Sequence, residues 1–275
     1  MRNGIHRIGF ALLALRMTTL VAAAQTPQAA QNPPSVYETL MKANKPSAPA
    51  PKRDLIGTWA GPIGGRVEPV APMTALGQKM ASLNKGDEYT VAERNDPLNT
   101  CDPLGIPRNL AFETRGIAFS TMPDRIVVLH QYQRIWRYVW MDGKHELPKK
   151  FDTKDGVPSR WYGYSVGHWD GDHTLVIDTT GSNDQSWVDK AGYPHTVNAM
   201  IEERYTRADH NHMQAVITVD DPAIFTKPFT LSTNDYQWIP DQEAEEQMCV
   251  PSEMIHYMNL IARPSFGTDE EPKTK

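Results

Sequence analysis

The residue that most needs an explanation is Glu203. In the run from Val197 to Thr206, period-two alternation puts Val197, Ala199, Ile201, Glu203 and Tyr205 on one face, and Asn198, Met200, Glu202, Arg204 and Thr206 on the other. Met213, Ala215, Ile217 and Val219 supply a matching apolar face across the turn. Glu203 therefore points inward. A carboxylate among apolar groups must be paired or held protonated, and a carboxyl of raised pKa is a candidate acid or base. Three readings stand: a buried pair with an arginine such as Arg137 or Arg134, a functional carboxylate, or a local bulge that turns the side chain outward. His195, after Tyr193-Pro194 at the expected start of a strand, and His130, among aromatics, are the candidate partners, with Arg137 and Asp178 orienting them.

A second constellation would bind rather than react. Trp161, Gly163, Ser165, Gly167 and Trp169 alternate on one face, so two indoles bracket a strip with almost no side chains. Such a strip admits a flat ligand, with Tyr138 as a further aromatic wall, or else a packed backbone segment. His210-Asn211-His212 falls on a turn with no third ligand near it and is read as exposed, so no metal is expected. Gly61, Gly64 and Gly65 are too irregular for a phosphate cradle, and no nucleophile elbow, P-loop or Rossmann glycine pattern occurs. No organic cofactor is expected.

The elements that must position these groups are strands. Ile126 to Trp140 reads as one long strand or two joined by a bend, with Ile126, Val128, His130, Tyr132, Trp136, Tyr138 and Trp140 on one side; Met141-Asp142-Gly143-Lys144 then reads as a hairpin turn. Trp161 to Trp169 and Thr174 to Thr180 flank Asp170-Gly171-Asp172-His173, a strong hairpin signal. Thr196 to Arg207 and Met213 to Val219 form another hairpin. Phe225 to Trp238 is extended, and Pro228 within it predicts an edge or a bulge. Helical periodicity is confined to Thr74 to Leu83, where Ala75, Leu76, Met80 and Leu83 would share a face. The expected fold is all-β: one antiparallel barrel, closed or nearly so, over residues 53–275, with long loops in its first half.

Upstream, Arg2, His6 and Arg7 precede Ile8 to Leu15, and Ala22-Ala23-Ala24-Gln25 has a signal-peptidase form. Residues 1–24 read as a signal peptide, and 25–52, rich in Ala and Pro, as a disordered tether. A periplasmic or secreted protein is the expectation. The two cysteines, Cys101 and Cys249, then make one long-range disulfide the simplest account. The 28 basic and 33 acidic residues give a net charge of -5 without a basic face, which argues against nucleic acid as a partner. No apolar run beyond the extreme N-terminus reaches the roughly 20 residues of a membrane span. Oligomeric state has no signature here.

Two resemblances add to this. Gly57-Thr58-Trp59 resembles the G-x-W signature of lipocalins and other calycins, which implies a ligand-holding barrel with the Trp plugging one end. Trp136-Arg137, Met141-Asp142-Gly143, the run Trp161 to Trp169, Asp178-Thr179-Thr180-Gly181, Tyr193-Pro194-His195, Glu203-Arg204 and Asp220-Asp221-Pro222 together resemble an uncharacterised family of exported bacterial proteins. That implies bacterial origin and export, and brings no reaction. Four inward ionisable groups, Glu203, His130, Asp178 and Arg137, tilt the expectation to an enzyme performing elimination (lyase) or hydrolysis on a small neutral, aromatic molecule. The alternative is a carrier or sensor of such a ligand.

Overall fold

The computed structural model describes residues 47–67, 69–111, 116–240 and 246–265; the expected signal peptide and most of the tether lie outside them. Nine strands close into a barrel in sequence order: β1 Gly57–Val67, β2 Ile117–Met122, β3 Arg125–His130, β4 Ile135–Trp140, β5 Tyr164–Asp170, β6 Thr174–Thr180, β7 Met200–Arg207, β8 His212–Asp220 and β9 Phe229–Trp238. Eight neighbouring pairs are antiparallel, and β4 with β5 is parallel. The all-β barrel is as expected, but it is mixed rather than purely antiparallel. Parity is the reason: strands that alternate in direction around a closed ring must be even in number, so nine require one parallel seam.

That seam changes the reading of two segments. Met141 to Lys144 does not turn a hairpin; it opens the long connection, residues 141–163, that a parallel pair demands. Ile126 to Trp140 is two strands joined by a tight turn, with Gln133 and Arg134 at positive φ. The turn reverses the alternation. Ile126, Val128 and His130 of β3 are buried, and so are Arg137 and Val139 of β4, whereas Trp136 and Tyr138 face outward.

The other hairpins follow the expected register. β5 and β6 turn at residues 171–173, and β7 and β8 at 208–211, with Glu203 paired to Ile217. β9 starts just after Pro228 and pairs on both sides, so it is no edge; a register shift with β8 sits between Ile217 and Thr218. The helix at Ala75–Ala81 is capped by Thr74, whose Oγ1 accepts from Gly77 N at 3.1 Å. Its buried residue is Gly77, against Ile224, while Leu76 and Leu83 are exposed, contrary to the expected face. A side chain at 77 would meet the Ile224 carbonyl, so the helix lies too close to the β8–β9 connection for a leucine stripe.

The core runs through the barrel interior: Leu175, Ile177, Ile201, Tyr205, Ala215, Ile217, Val219 and Leu231 are all buried. Trp59 is fully buried, donates from Nε1 to Leu55 O at 2.9 Å, and lies under the Arg207 guanidinium at 4.9 Å. Arg207 in turn donates to the carbonyls of Asp54 and His210, tying the chain before β1 to the β7–β8 turn. Contacts reach back further than residue 53: His210 N donates to Ala48 O at 2.8 Å, and Arg53 N to Asp172 O at 2.6 Å. Among the described residues no helix is long and apolar enough to cross a membrane.

Cys101 and Cys249 are joined in a disulfide. It fastens the C-terminal helix, Pro251–Tyr257, to the 3-10 turn Pro97–Thr100, beside the β3–β4 turn, where Gln133 N donates to Gln247 O. Non-reduced peptide mapping is expected to recover the Cys101–Cys249 peptide, and its reduction to lower stability by roughly 3–5 kcal/mol, given a sequence separation of 148. Two alkylatable thiols in the native protein would refute the bridge.

Candidate functional site

Three of the sequence candidates, Glu203, Arg137 and His130, meet at the barrel centre, and two others do not. Glu203 is fully buried on β7 and paired with Arg137 of β4 through Nη2 and Oε2. Tyr205 donates its hydroxyl to the same Oε2 at 2.8 Å, and the Thr179 hydroxyl reaches Oε1 at 3.5 Å. Arg137 Nη1 donates to Ser165 Oγ at 3.0 Å and Thr179 Oγ1 at 3.1 Å, and its Nε to His130 Nε2 at 3.3 Å. Six side chains from β3 to β7 thus share one network. Burial opposes the charge on Arg137, but the Glu203 carboxylate more than offsets it, so the guanidinium titrates above its ordinary value. Burial, then Arg137, holds His130 well below the usual imidazole range. His130 is therefore neutral, with Nε2 as acceptor. Burial, reinforced by Glu203, raises Tyr205.

Asp178 is not part of this network. On β6 it alternates with Thr179, which faces Arg137, so Asp178 is on the outer face, next to Glu202 across the strand pair. Half-burial, then Glu202, raises its pKa. His195 precedes β7 instead of starting it. It is fully buried, with Nε2 3.0 Å from Ser186 Oγ and Nδ1 3.1 Å from Thr196 O, and it makes no hydrogen bond to Glu203 or Arg137. His210 and His212 are half-buried and bonded locally, to Asn211 and Asp209; among the described residues there is no group of three metal-ligating side chains.

A cavity lies at the parallel seam. β4 and β5 are matched only at Val139 with Ser165 and Trp140 with Val166. Below that the strands part, because β5 begins at Tyr164 after a turn in which Gly163 has φ +59°. The gap is a groove of about 500 Å³. Trp136, Tyr138, Trp140 and Trp161 form its aromatic walls, His145 to Pro148 and Arg160 its rim, and Tyr162, Arg137 and Ser165 its inner end. Trp136 is 61% exposed and Tyr138 44%. Trp140 is already stacked on His145, ring centroids 3.6 Å apart, and His145 is bonded to Asp142 at 2.8 Å.

The expected aromatic strip is redistributed by this geometry. Tyr138, Trp161, Gly163 and Ser165 do line one groove, but Trp169 packs against the core from further along β5. Alternation fails because Trp161 to Gly163 form a turn. The glycines are filled: a Cβ at Gly167 would meet Met141 and Val139, and one at Gly163 the Thr180 carbonyl at 2.6 Å. They serve close packing and a left-handed turn, not ligand access. Sequence reasoning missed Trp136, Trp140 and Tyr162 as groove residues, since all three depend on the parallel seam. No family model, curated protein or solved structure matches the chain.

Proposed function

We propose that the protein binds a small, flat, mostly neutral organic molecule in the β4–β5 groove, as a carrier or sensor outside the cytoplasm. The observation that carries this reading is a half-open cavity walled by exposed aromatic rings, an arrangement whose solvent-facing area is otherwise costly to keep on a barrel surface. Exposed indoles stack on flat apolar faces. The disulfide supports an oxidising compartment.

What favours binding over acid–base turnover is the state of Glu203. Both its oxygens are engaged inside the barrel, and it is not among the groove residues, whereas a general base must reach a substrate proton within about 3 Å. His195 sits in another network. At the groove rim the His145 imidazole is bonded to Asp142 and stacked on Trp140, and the Glu146 carboxylate is exposed to solvent, so neither is a buried, poised acid or base.

Addition of 2-ethylnaphthalene is expected to change the intrinsic tryptophan fluorescence saturably. Trp136→Ala, which removes the most exposed ring on β4 without touching the barrel interior, is expected to weaken that binding about tenfold. An unchanged signal in the wild type, or equal affinity in Trp136→Ala, would reject the groove as the site.

A further inference from the structure

β4 presents an open backbone edge to the groove. Met141 N donates to Asp124 O at 2.9 Å, at the far end of the β3–β4 pair, and Gln131 N donates away from β4, to Gly116 O at 3.0 Å. Antiparallel neighbours exchange backbone bonds at every second residue, so the bonded pairs are Ile126 with Val139, Val128 with Arg137 and His130 with Ile135. Trp136, Tyr138 and Trp140 therefore aim their N–H and C=O groups the other way, toward β5. β5 is matched only at Val139 with Ser165 and Trp140 with Val166, which takes up both groups of Trp140 and the carbonyl of Tyr138. The N–H and C=O of Trp136 and the N–H of Tyr138 are left facing the gap, and among the described residues none of the three has a hydrogen-bond partner. Both residues line the groove, and both are exposed.

We infer that the ligand of this groove is a flat ring bearing an N–H donor beside an oxygen or nitrogen acceptor, as in lactams and aromatic carboxamides, and that the Trp136 carbonyl and the Tyr138 amide read this pair. The inference rests on the binding reading above. The two groups are consecutive along one strand edge, so they meet a donor and an acceptor on neighbouring atoms of one molecule. A flat ligand lying where β5 would have continued turns its own edge to β4. A hydrocarbon there strips water from both groups and returns no bond, whereas a lactam replaces each bond that is lost. Extent decides between a small molecule and a docked strand. The free stretch, Trp136 to Tyr138, falls short of the roughly five to six residues of an ordinary strand, and a groove of about 500 Å³ is of small-molecule size. Charge decides against an anion. Backbone dipoles carry no net charge, and Arg137 behind them is neutralised by Glu203. At the rim, Arg160 and Glu146 are of opposite sign.

Three bicyclic probes of similar shape separate the possibilities: 1-isoquinolone (N–H beside C=O), 2-methyl-1-isoquinolone (N–H blocked) and naphthalene (neither). Calorimetric titration of the wild type is expected to rank the first about tenfold tighter than either of the others. Tyr138→Pro removes the N–H at this position but no bond to β3, and proline is tolerated on a strand edge whose N–H faces outward. It is expected to lose most of the lactam preference, and Tyr138→Ala, which loses the ring but keeps the N–H, to retain it. In wild-type protein labelled with ¹⁵N-tyrosine, the Tyr138 amide proton, assigned by its absence from Tyr138→Ala, should move downfield with 1-isoquinolone and not with naphthalene. That test holds whatever Tyr138→Pro does to folding. A lactam no tighter than naphthalene or than its N-methyl form, a preference that survives in Tyr138→Pro, or an amide proton that stays in place would each overturn the inference while leaving groove binding intact. Failure of all three probes to bind would overturn both.

Discussion

Glu203→Gln is expected to cost about 3–5 kcal/mol of stability while leaving affinity at the groove unchanged in whatever protein stays folded. The carboxylate is the counter-charge of Arg137, and both are buried in the barrel centre. Removing it leaves a guanidinium whose remaining partners, Ser165, Thr179 and the neutral His130, are dipoles and not charges. The shape of Gln is tolerated, and Tyr205 can still donate to its amide oxygen, so the loss reports the lost charge and not a cavity. Replacing both members tests the same idea from the other side. Arg137→Met with Glu203→Leu removes the desolvation cost with the pair, and buried pairs so replaced are neutral or stabilising in other proteins. A double-mutant cycle from denaturant melts should therefore give a large favourable coupling, on the order of 3 kcal/mol. A stable Glu203→Gln single variant with ligand binding abolished would restore the carboxylate as a functional group.

Glu203 also shows what the sequence could and could not disclose. Alternation along β7 was enough to turn it inward, because β7 is flanked by antiparallel neighbours and pairs over its whole length. The same logic placed Ile201, Tyr205, Ala215 and Ile217 in the core. Its partner could be named only as one of two arginines: Arg137 and Glu203 meet across the barrel lumen, and lumen contacts depend on closure and shear, which no local pattern encodes. The long run to Trp140 misled for a related reason. A turn at residues 131–134, containing two non-glycine residues at positive φ, carries no Asn-Gly or Asp-Gly signal, so Tyr138 was grouped with His130 although the two face opposite sides. The groove was the least legible feature. It exists because the ring has an odd number of strands and one seam is parallel and short, a property of the whole barrel that Trp161, Tyr162 and Trp136 only line.

Acid is expected to destabilise the protein from about pH 6.5 downward, well above the carboxylate range, and His130 is expected to cause most of the slope. The folded state holds His130 well below 6.5, by burial and then by Arg137, and His195 below 6.5, chiefly by burial, against the smaller opposing pulls of the Thr196 carbonyl, Asp221 and Asp184. The sign follows from proton counts. Above 6.5 neither state binds the proton and stability is full; below it the unfolded chain takes up protons that the folded protein refuses, so stability falls until the folded pKa is reached. Each such group removes about 1.4 kcal/mol per pH unit within its window. Asp178 and Asp189, both raised mainly by burial, act in the opposite sense as they protonate in the folded state first, and temper the fall. Asp142 and Asp209, lowered from 3.8 to about 2 in the folded state, add stability that is full above the ordinary carboxylate value and is lost only as pH falls from about 3.8 towards 2. Urea melts at pH 8, 6.5, 5.5 and 4.5 read the slope directly. His130→Gln keeps an acceptor for Arg137 Nε and cannot titrate, so it should flatten the curve between pH 6.5 and 4.5; a wild type equally stable at both ends of that interval would show that the barrel accepts a charged imidazole beside Arg137, and the network drawn around Glu203 would have to be redrawn.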